Sequence, residues 1–397
     1  MSIAGKSLGN EIFLGGRHSK PAEKALCHTA IAAKRGPAYT HSRKMRCLIL
    51  AAGRFDDRLR ADIAGNREPR LDVFELARVL DADVIDFAAV DRSRSPAVKL
   101  AVRAGGLSAG VGMLGYQARK RYDAFFTTGE DIGLPLAALM QASRTKCSHT
   151  MIAHTLFPAK KKAFFKYARV GSQLDRVLVY STSEEQLATG ELGLPAAKVQ
   201  RIYYHADQQF FKHDGRALEP DLICAAGQLL RDYDTLVEAV RDRPIRVQIA
   251  AGSPWIERKL EPRGPLPPNV TWGKLNRFEL RELYRRSALA VVPILQNHYQ
   301  TGIATILEMM SMGKCVIATK TFGQTDTIVD GVTGVYVPPG DPVALRNAIE
   351  RMLANPDEAR RIGEAARRFM ESEAGLDVFV ERIVEAIKAG HLARFGG

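Results

Sequence analysis

The chain has no CxxC pair, no paired histidines at metal-ligand spacing and no unbroken run of 18 apolar residues. Its five cysteines, Cys27, Cys47, Cys147, Cys224 and Cys315, are scattered. That pattern excludes a zinc ribbon and a disulfide framework and points to a reducing compartment. Most of these cysteines sit in or just before apolar strand-like runs, where a thiol packs as a small hydrophobe. Without an apolar run of bilayer length, no transmembrane helix is expected. There is no internal repeat and no low-complexity tract. Acids are scarce at the start: residues 1–44 hold eight Lys or Arg against two Asp or Glu. The same segment lacks sustained periodicity and the apolar core of a secretory signal. It reads as a disordered extension, or as sequence upstream of a start at Met45.

What the 397 residues do contain is enough for two or three domains. The formal charge of +13 favours anionic partners, among them nucleotide sugars, anionic lipid and nucleic acid, without choosing between them. No nucleic-acid-binding motif accompanies it, so nucleic acid is not the expected partner.

From Met45 on, strand-like and helix-like runs alternate. Strands are expected at Cys47–Ala51, Val84–Val90, Tyr122–Thr128, His149–Thr155, Val177–Ser181 and Gln200–His205. Helices are expected around Asp72–Leu80, Val98–Ala104, Leu134–Gln141 and Lys160–Tyr167. After a polar break at Asp207–Pro220 the alternation restarts with Leu222–Ala226, Tyr233–Val240, Arg246–Ala251, Val270–Gly273, Arg277–Arg286 and Leu289–Ile294. Such alternation predicts α/β units with parallel sheets and helices on both faces. Asp341-Pro342 and Asn355-Pro356 each read as a capping side chain followed by proline at a helix start. Leu376–Lys388 carries one apolar stripe.

The densest signal is Gln300–Gly340. A glycine, Gly302, opens an apolar-periodic helix just past the strand Leu289–Ile294, and the strand Cys315–Thr319 follows. A helix start at the carboxyl end of a parallel strand offers unpaired N–H groups to a phosphate. Glu308 lies about 9 Å deeper along that helix, at a rise of about 1.5 Å per residue. It is placed to meet sugar hydroxyls while the helix mouth holds a diphosphate.

In order and spacing, Glu308, Gly313–Thr319, Gly323, Asp330-Gly331-Val332-Thr333-Gly334 and Pro339-Gly340-Asp341 resemble the donor region of the family 4 glycosyltransferases, retaining enzymes of the GT-B fold. The resemblance covers about 222–375. It implies two Rossmann-like domains with parallel sheets facing across a cleft: an acceptor domain over 45–210, a nucleotide-sugar donor domain over 211–375, and a final helix, 376–397, crossing back. It implies transfer of a sugar from a nucleoside diphosphate sugar to a hydroxyl with retention, with no cofactor and no metal. By the same resemblance Glu308 takes the ribose, and Gly302, Ile303, Ala304 and Thr305 present amides to the diphosphate. Gly227, Gln228 and Arg231 form the Gly-Arg-Leu…Lys position. Gln300 and His154 face the transferred sugar, so His154, Gln300 and Glu308 are the catalytic candidates. Two positions depart from the pattern. Gln300 stands where the family has a first glutamate, and Gln228 stands where it has arginine. An amide keeps hydrogen bonding but gives up the charge. A sugar-nucleotide epimerase of the same fold, and a catalytically silent GT-B binding protein, are the alternatives.

Other features carry less. Gly110-Val111-Gly112-Met113-Leu114-Gly115 matches GxGxxG but follows a helical run rather than a strand, which argues against a dinucleotide loop. His149 and His154 fall on opposite faces of one strand. Asp207 matches an interdomain loop and reads as structural. Residues 158–169, with Lys160, Lys161, Lys162, Lys166 and Arg169 among Phe157, Phe164, Phe165 and Tyr167, fit two readings equally: a helix with its aromatics in the core, or a contact with an anionic membrane surface. A cytoplasmic protein, peripheral on the inner face of a membrane, follows from the second.

Overall fold

The computed structural model describes residues 45–252 and 260–396. The expectations for residues 1–44, Cys27 included, lie outside the described residues. The four described cysteines are buried and free.

Among the described residues, twelve strands form two six-stranded sheets, each parallel throughout. The first comprises β1 (Cys47–Leu50), β2 (Asp83–Ile85), β3 (Ala124–Thr127), β4 (Ser148–Ala153), β5 (Arg176–Val179) and β6 (Val199–Arg201), in the order β2-β1-β3-β4-β5-β6. The second comprises β7 (Glu219–Ala226), β8 (Arg246–Ala250), β9 (Val270–Gly273), β10 (Ser287–Val292), β11 (Val316–Thr319) and β12 (Val335–Val337), in the order β12-β11-β10-β7-β8-β9. In each sheet the chain order reverses beside the first strand. That reversal opens a crevice at the carboxyl ends of the strands.

Alternate residues of each strand feed opposite cores, as a sheet covered on both faces requires. In β1, Cys47 and Ile49 join one cluster and Leu48 and Leu50 the other. In β7, Ile223 and Ala225 pack on one face while Leu222, Cys224 and Ala226 pack on the other. The helix Leu376–Phe395 buries Leu376, Phe379, Val380, Ile383, Val384 and Ile387 against Cys47, Ile49 and Phe126 of the first sheet. Six such side chains contribute on the order of 10 kcal/mol of apolar burial, an upper value for an extended reference chain. The segment between β6 and β7 is tied to the first domain by Asp207, which accepts from the Arg70 backbone N–H at 2.8 Å and from its guanidinium at 2.9 Å. Arg70 also holds Asp377 at the start of that helix, at 2.9 Å.

Several expected elements change. Val84–Val90 is not one strand: β2 ends at Ile85, and the Asp86 carboxylate accepts from Ala89 N to start a short helix, Phe87–Asp91. Of the run Gln200–His205, only Gln200 and Arg201 belong to a strand, paired with Leu178 and Val179. Asp341 caps as expected, accepting from Ala344 N at 2.8 Å. Asn355 does not; its amide instead donates to Arg351 O and closes the preceding helix.

The GxGxxG residues lie inside the helix Pro96–Ala118. They are packing glycines. A Cβ on Gly110 would press on Val102 and Val90, on Gly112 on the Ile132 carbonyl, and on Gly115 on Leu50. This helix, continued to Arg121, is long and apolar enough by composition to cross a membrane, and 22% of its apolar window is buried. The backbone breaks at Gly105 and Gly106, the latter with φ of 75°. Val98 and Val111 on either side of the break join the core under β1.

In the segment 158–169, Phe157, Phe164 and Phe165 pack against the core of the first domain. Lys161 pairs with Glu130 and Asp131, and Lys162 pairs with Glu191. Lys160, Lys166, Arg169 and Tyr167 remain on the surface.

Candidate functional site

A cavity of about 540 Å³ opens between the carboxyl ends of the two sheets. All ten sequence-predicted site residues line it: His154, Gly227, Gln228, Arg231, Gln300, Gly302, Ile303, Ala304, Thr305 and Glu308.

The second sheet supplies most of it. β10 ends at Val292, and a nine-residue loop leads to Gly302, whose φ of 83° turns the chain into the helix Ile303–Ser311. A side chain there would meet Val292, Ile294 and Arg231, so glycine suits both the angle and the space. The first amides of the helix have no partner within it. Thr305 sits in that first turn, and its hydroxyl accepts from Arg231 NH2 at 3.2 Å.

Arg231 is held in place by carbonyls. Its Nε donates to Ala226 O at 2.9 Å and NH1 donates to Leu229 O at 2.8 Å. Gly227, with φ of 97°, leaves the room the guanidinium fills. Among the described residues none of its hydrogen bonds goes to a carboxylate. Burial pulls this guanidinium below its ordinary value, against the pull of Tyr233, Tyr284 and Glu308. A cation thus faces the positive end of a helix, an arrangement that repels itself until an anion enters.

Glu308 is buried at 6% exposure, deeper along the same helix. Arg277 NH1 donates to its Oε1 at 2.7 Å and the Tyr284 hydroxyl donates to its Oε2 at 3.2 Å. Burial and the neighbouring Glu308 push the Tyr284 phenol well above its ordinary value. Neither partner was foreseen. Both lie on the helix Arg277–Arg286, which touches Glu308 only through the fold. The capping box of Asn276 and Glu279 that starts this helix is visible in sequence, but its bearing on the site is not.

Gln300 presents a neutral amide. Its Nε2 donates to Thr327 Oγ1 at 3.3 Å, and its Oε1 is buried without a hydrogen-bond partner. The loop beneath is shaped by Gly323, where any side chain would strike the Tyr299 carbonyl.

The first domain contributes His154, Thr155, Tyr180 and Tyr204. His154 follows β4 directly. Its Nε2 stands 2.9 Å from Thr128 O, which can only accept, so Nε2 carries the proton and Nδ1 is the free ring atom. Glu130 fastens this loop by accepting from His154 N at 2.8 Å, Thr155 N at 3.3 Å and the Lys161 ammonium. Burial works to raise the Glu130 carboxyl, but His154 and Lys161 outweigh it and hold it below the ordinary range. His149 points into the interior, with Nε2 3.0 Å from Thr127 Oγ1. It belongs to the core rather than to the cavity.

Other parts of the recognised segment hold the fold. Asp330 accepts from Tyr336 N and the Thr333 hydroxyl accepts from Val329 N, forming the turn into β12. Asp341 caps a helix.

Residues 208–369 match the family described as glycosyl transferases group 1. The chain is 25% identical over 258 residues to an alpha-D-kanosaminyltransferase of Streptomyces kanamyceticus, covering 59% of this chain and 65% of that protein. It is 29% identical over 185 residues to a D-inositol 3-phosphate glycosyltransferase of Xylanimonas cellulosilytica, covering 42% and 44%. The aligned part is thus under two thirds of either relative. Among solved structures, sucrose-phosphate synthase from Thermosynechococcus elongatus superposes with a TM-score of 0.64 at 18% identity, over 88% of this chain and all of that one. Anabaena HepE in complex with UDP and glucose superposes at 0.60 and 14% identity, over 87% and 99%. At these identities the likeness is one of fold, and the fold is GT-B.

Proposed function

We propose that this chain, whose residues 208–369 match the glycosyl transferases group 1 family, moves a sugar from a nucleoside diphosphate sugar to a hydroxyl acceptor with retention of anomeric configuration. One observation carries the reading: the Arg231 guanidinium is packed against the open mouth of the helix Ile303–Ser311, inside a cleft, with Glu308 farther along the same helix.

In this reading the helix amides and Arg231 hold the diphosphate. They neutralise the charge that grows on it as the bond to the sugar breaks, which is where fixed donors have most effect on rate. Glu308 accepts from the ribose hydroxyls. The sugar falls to the Gln300 side chain and to His154, both of which line the cavity. The departing phosphate oxygen takes the proton of the attacking hydroxyl, so no side chain is assigned as general base. No metal is written into the scheme. The Anabaena structure with UDP-glucose makes a uridine nucleotide the first donor to try.

The test is a thermal-shift panel of nucleotide sugars and nucleoside diphosphates. A ligand bound only by the native state raises Tm, by about 2.7 kcal/mol of stabilisation at a hundred times Kd. At least one nucleoside diphosphate should shift the transition and its sugar form should shift it further. A flat panel refutes the reading.

The neutral Gln300 favours a second reading, a protein that binds the donor without turning it over. Slow hydrolysis of the bound nucleotide sugar by the wild type would exclude it. We also propose a cytoplasmic protein, which the scattered free cysteines support, with its first domain toward an anionic membrane surface, which the excess of Lys and Arg over residues 45–205 supports.

A further inference from the structure

One cation of the cleft, Arg277, is already engaged by carboxylates. Arg277 is the first residue of the helix Arg277–Arg286, where the positive helix end disfavours it. It stays because Glu308 Oε1 lies 2.7 Å from its NH1. On its other side, Glu68 Oε2 from the first domain lies 4.0 Å from its Nε. The Tyr284 hydroxyl takes the second Glu308 oxygen at 3.2 Å. A carboxylate has about four lone-pair sites over its two oxygens. With one donor on each, both oxygens keep capacity for a further hydrogen bond.

A long acidic side chain free in a cleft loses rotamer freedom when a ligand fixes it, and that loss weakens binding. Glu308 is already fixed from both sides in the unliganded protein. We propose that Arg277 is a positioning residue for donor recognition: it holds the Glu308 carboxylate in the one orientation that meets the two ribose hydroxyls of the nucleotide. This rests on the nucleotide-sugar reading above. It assigns Arg277 to the nucleoside end of the ligand and leaves the diphosphate to Arg231.

The experiment is calorimetric titration of the wild type, Arg277→Met, Arg277→Lys, Glu308→Gln and the Arg277→Met/Glu308→Gln double variant. The probes are UDP, ADP or GDP, whichever the wild type binds, its 2′-deoxy form, and inorganic pyrophosphate. The wild type should prefer the ribose over the deoxyribose form by roughly tenfold, the size expected for a hydrogen bond to a charged group. In Arg277→Met that preference should fall to about twofold or less while pyrophosphate affinity holds, and Arg277→Lys should recover part of it. The double variant should bind the nucleotide no more weakly than Glu308→Gln alone, because the two residues act as one unit. Retention of the full ribose preference in Arg277→Met overturns the inference. So does an equal loss of pyrophosphate binding, which marks a structural defect. Failure of the wild type to bind any nucleoside diphosphate overturns the nucleotide reading itself, and the two failures are told apart by the wild-type titration alone.

Discussion

Arg231 shows how a site can be charged in advance. Three protein acceptors hold it, two carbonyls and the Thr305 hydroxyl, and its charge is left for a ligand. Replacing it with Met should weaken UDP and inorganic pyrophosphate alike by roughly ten- to a hundredfold, the range for hydrogen bonds to charged groups. Calorimetry reads this, and unchanged pyrophosphate affinity would remove Arg231 from the diphosphate site. Glu308 stood out in the sequence by its distance from the glycine-led helix start, and Arg231 by its place in the family pattern. Arg277, Tyr284 and Glu130 did not. Each acts on a residue about 24 to 31 positions away along the chain, Arg277 and Tyr284 on Glu308 and Glu130 on His154, and no local pattern encodes such a pairing.

At the scale of the element, β4 carries one histidine into the core and delivers another to the cleft. Burial lowers His149 from 6.5 to about 3, so the folded strand holds it neutral. Between those two values the unfolded chain binds a proton that the native state refuses. Stability therefore falls as pH drops from about 6.5 towards 3, since the proton-binding difference sets the slope. In His149→Gln that part of the slope should vanish, and denaturant midpoints measured across this range should show a flatter acid limb. An unchanged slope would mean His149 protonates within the fold. Elements with a clear period were legible: the helices Asp72–Leu80, Tyr233–Val240 and Arg277–Arg286 form over the expected residues. Val84–Val90 was misread because a continuous apolar run masked Asp86, whose carboxylate ends the strand and starts a helix.

Over the whole molecule the charge is lopsided. Residues 45–205 carry 24 Lys or Arg against 17 Asp or Glu, while residues 206–397 carry 25 of each. The half expected to bind the anionic donor is neutral overall, so the surplus is available for another anionic partner. Vesicles containing anionic lipid should pellet the protein, the effect should fade with salt, and neutral vesicles should leave it in solution. Equal partitioning into both would count against a membrane-facing first domain. The basic helix at 158–169 supplies less of this surface than its composition suggests, because its phenylalanines are half-buried against the core and Lys161 and Lys162 are paired. The sequence alone determined the α/β alternation and the glycine-led helix, because hydrophobic period and backbone freedom are local properties. Only the tertiary structure decided that Glu308 is clasped by Arg277 and Tyr284 and that His154 shares a cavity with Arg231. Glu308 meets Arg277 and Tyr284 because two helices separated in sequence pack on one face of the second sheet, and His154 joins them in the cavity only because the two sheets face each other across one cleft.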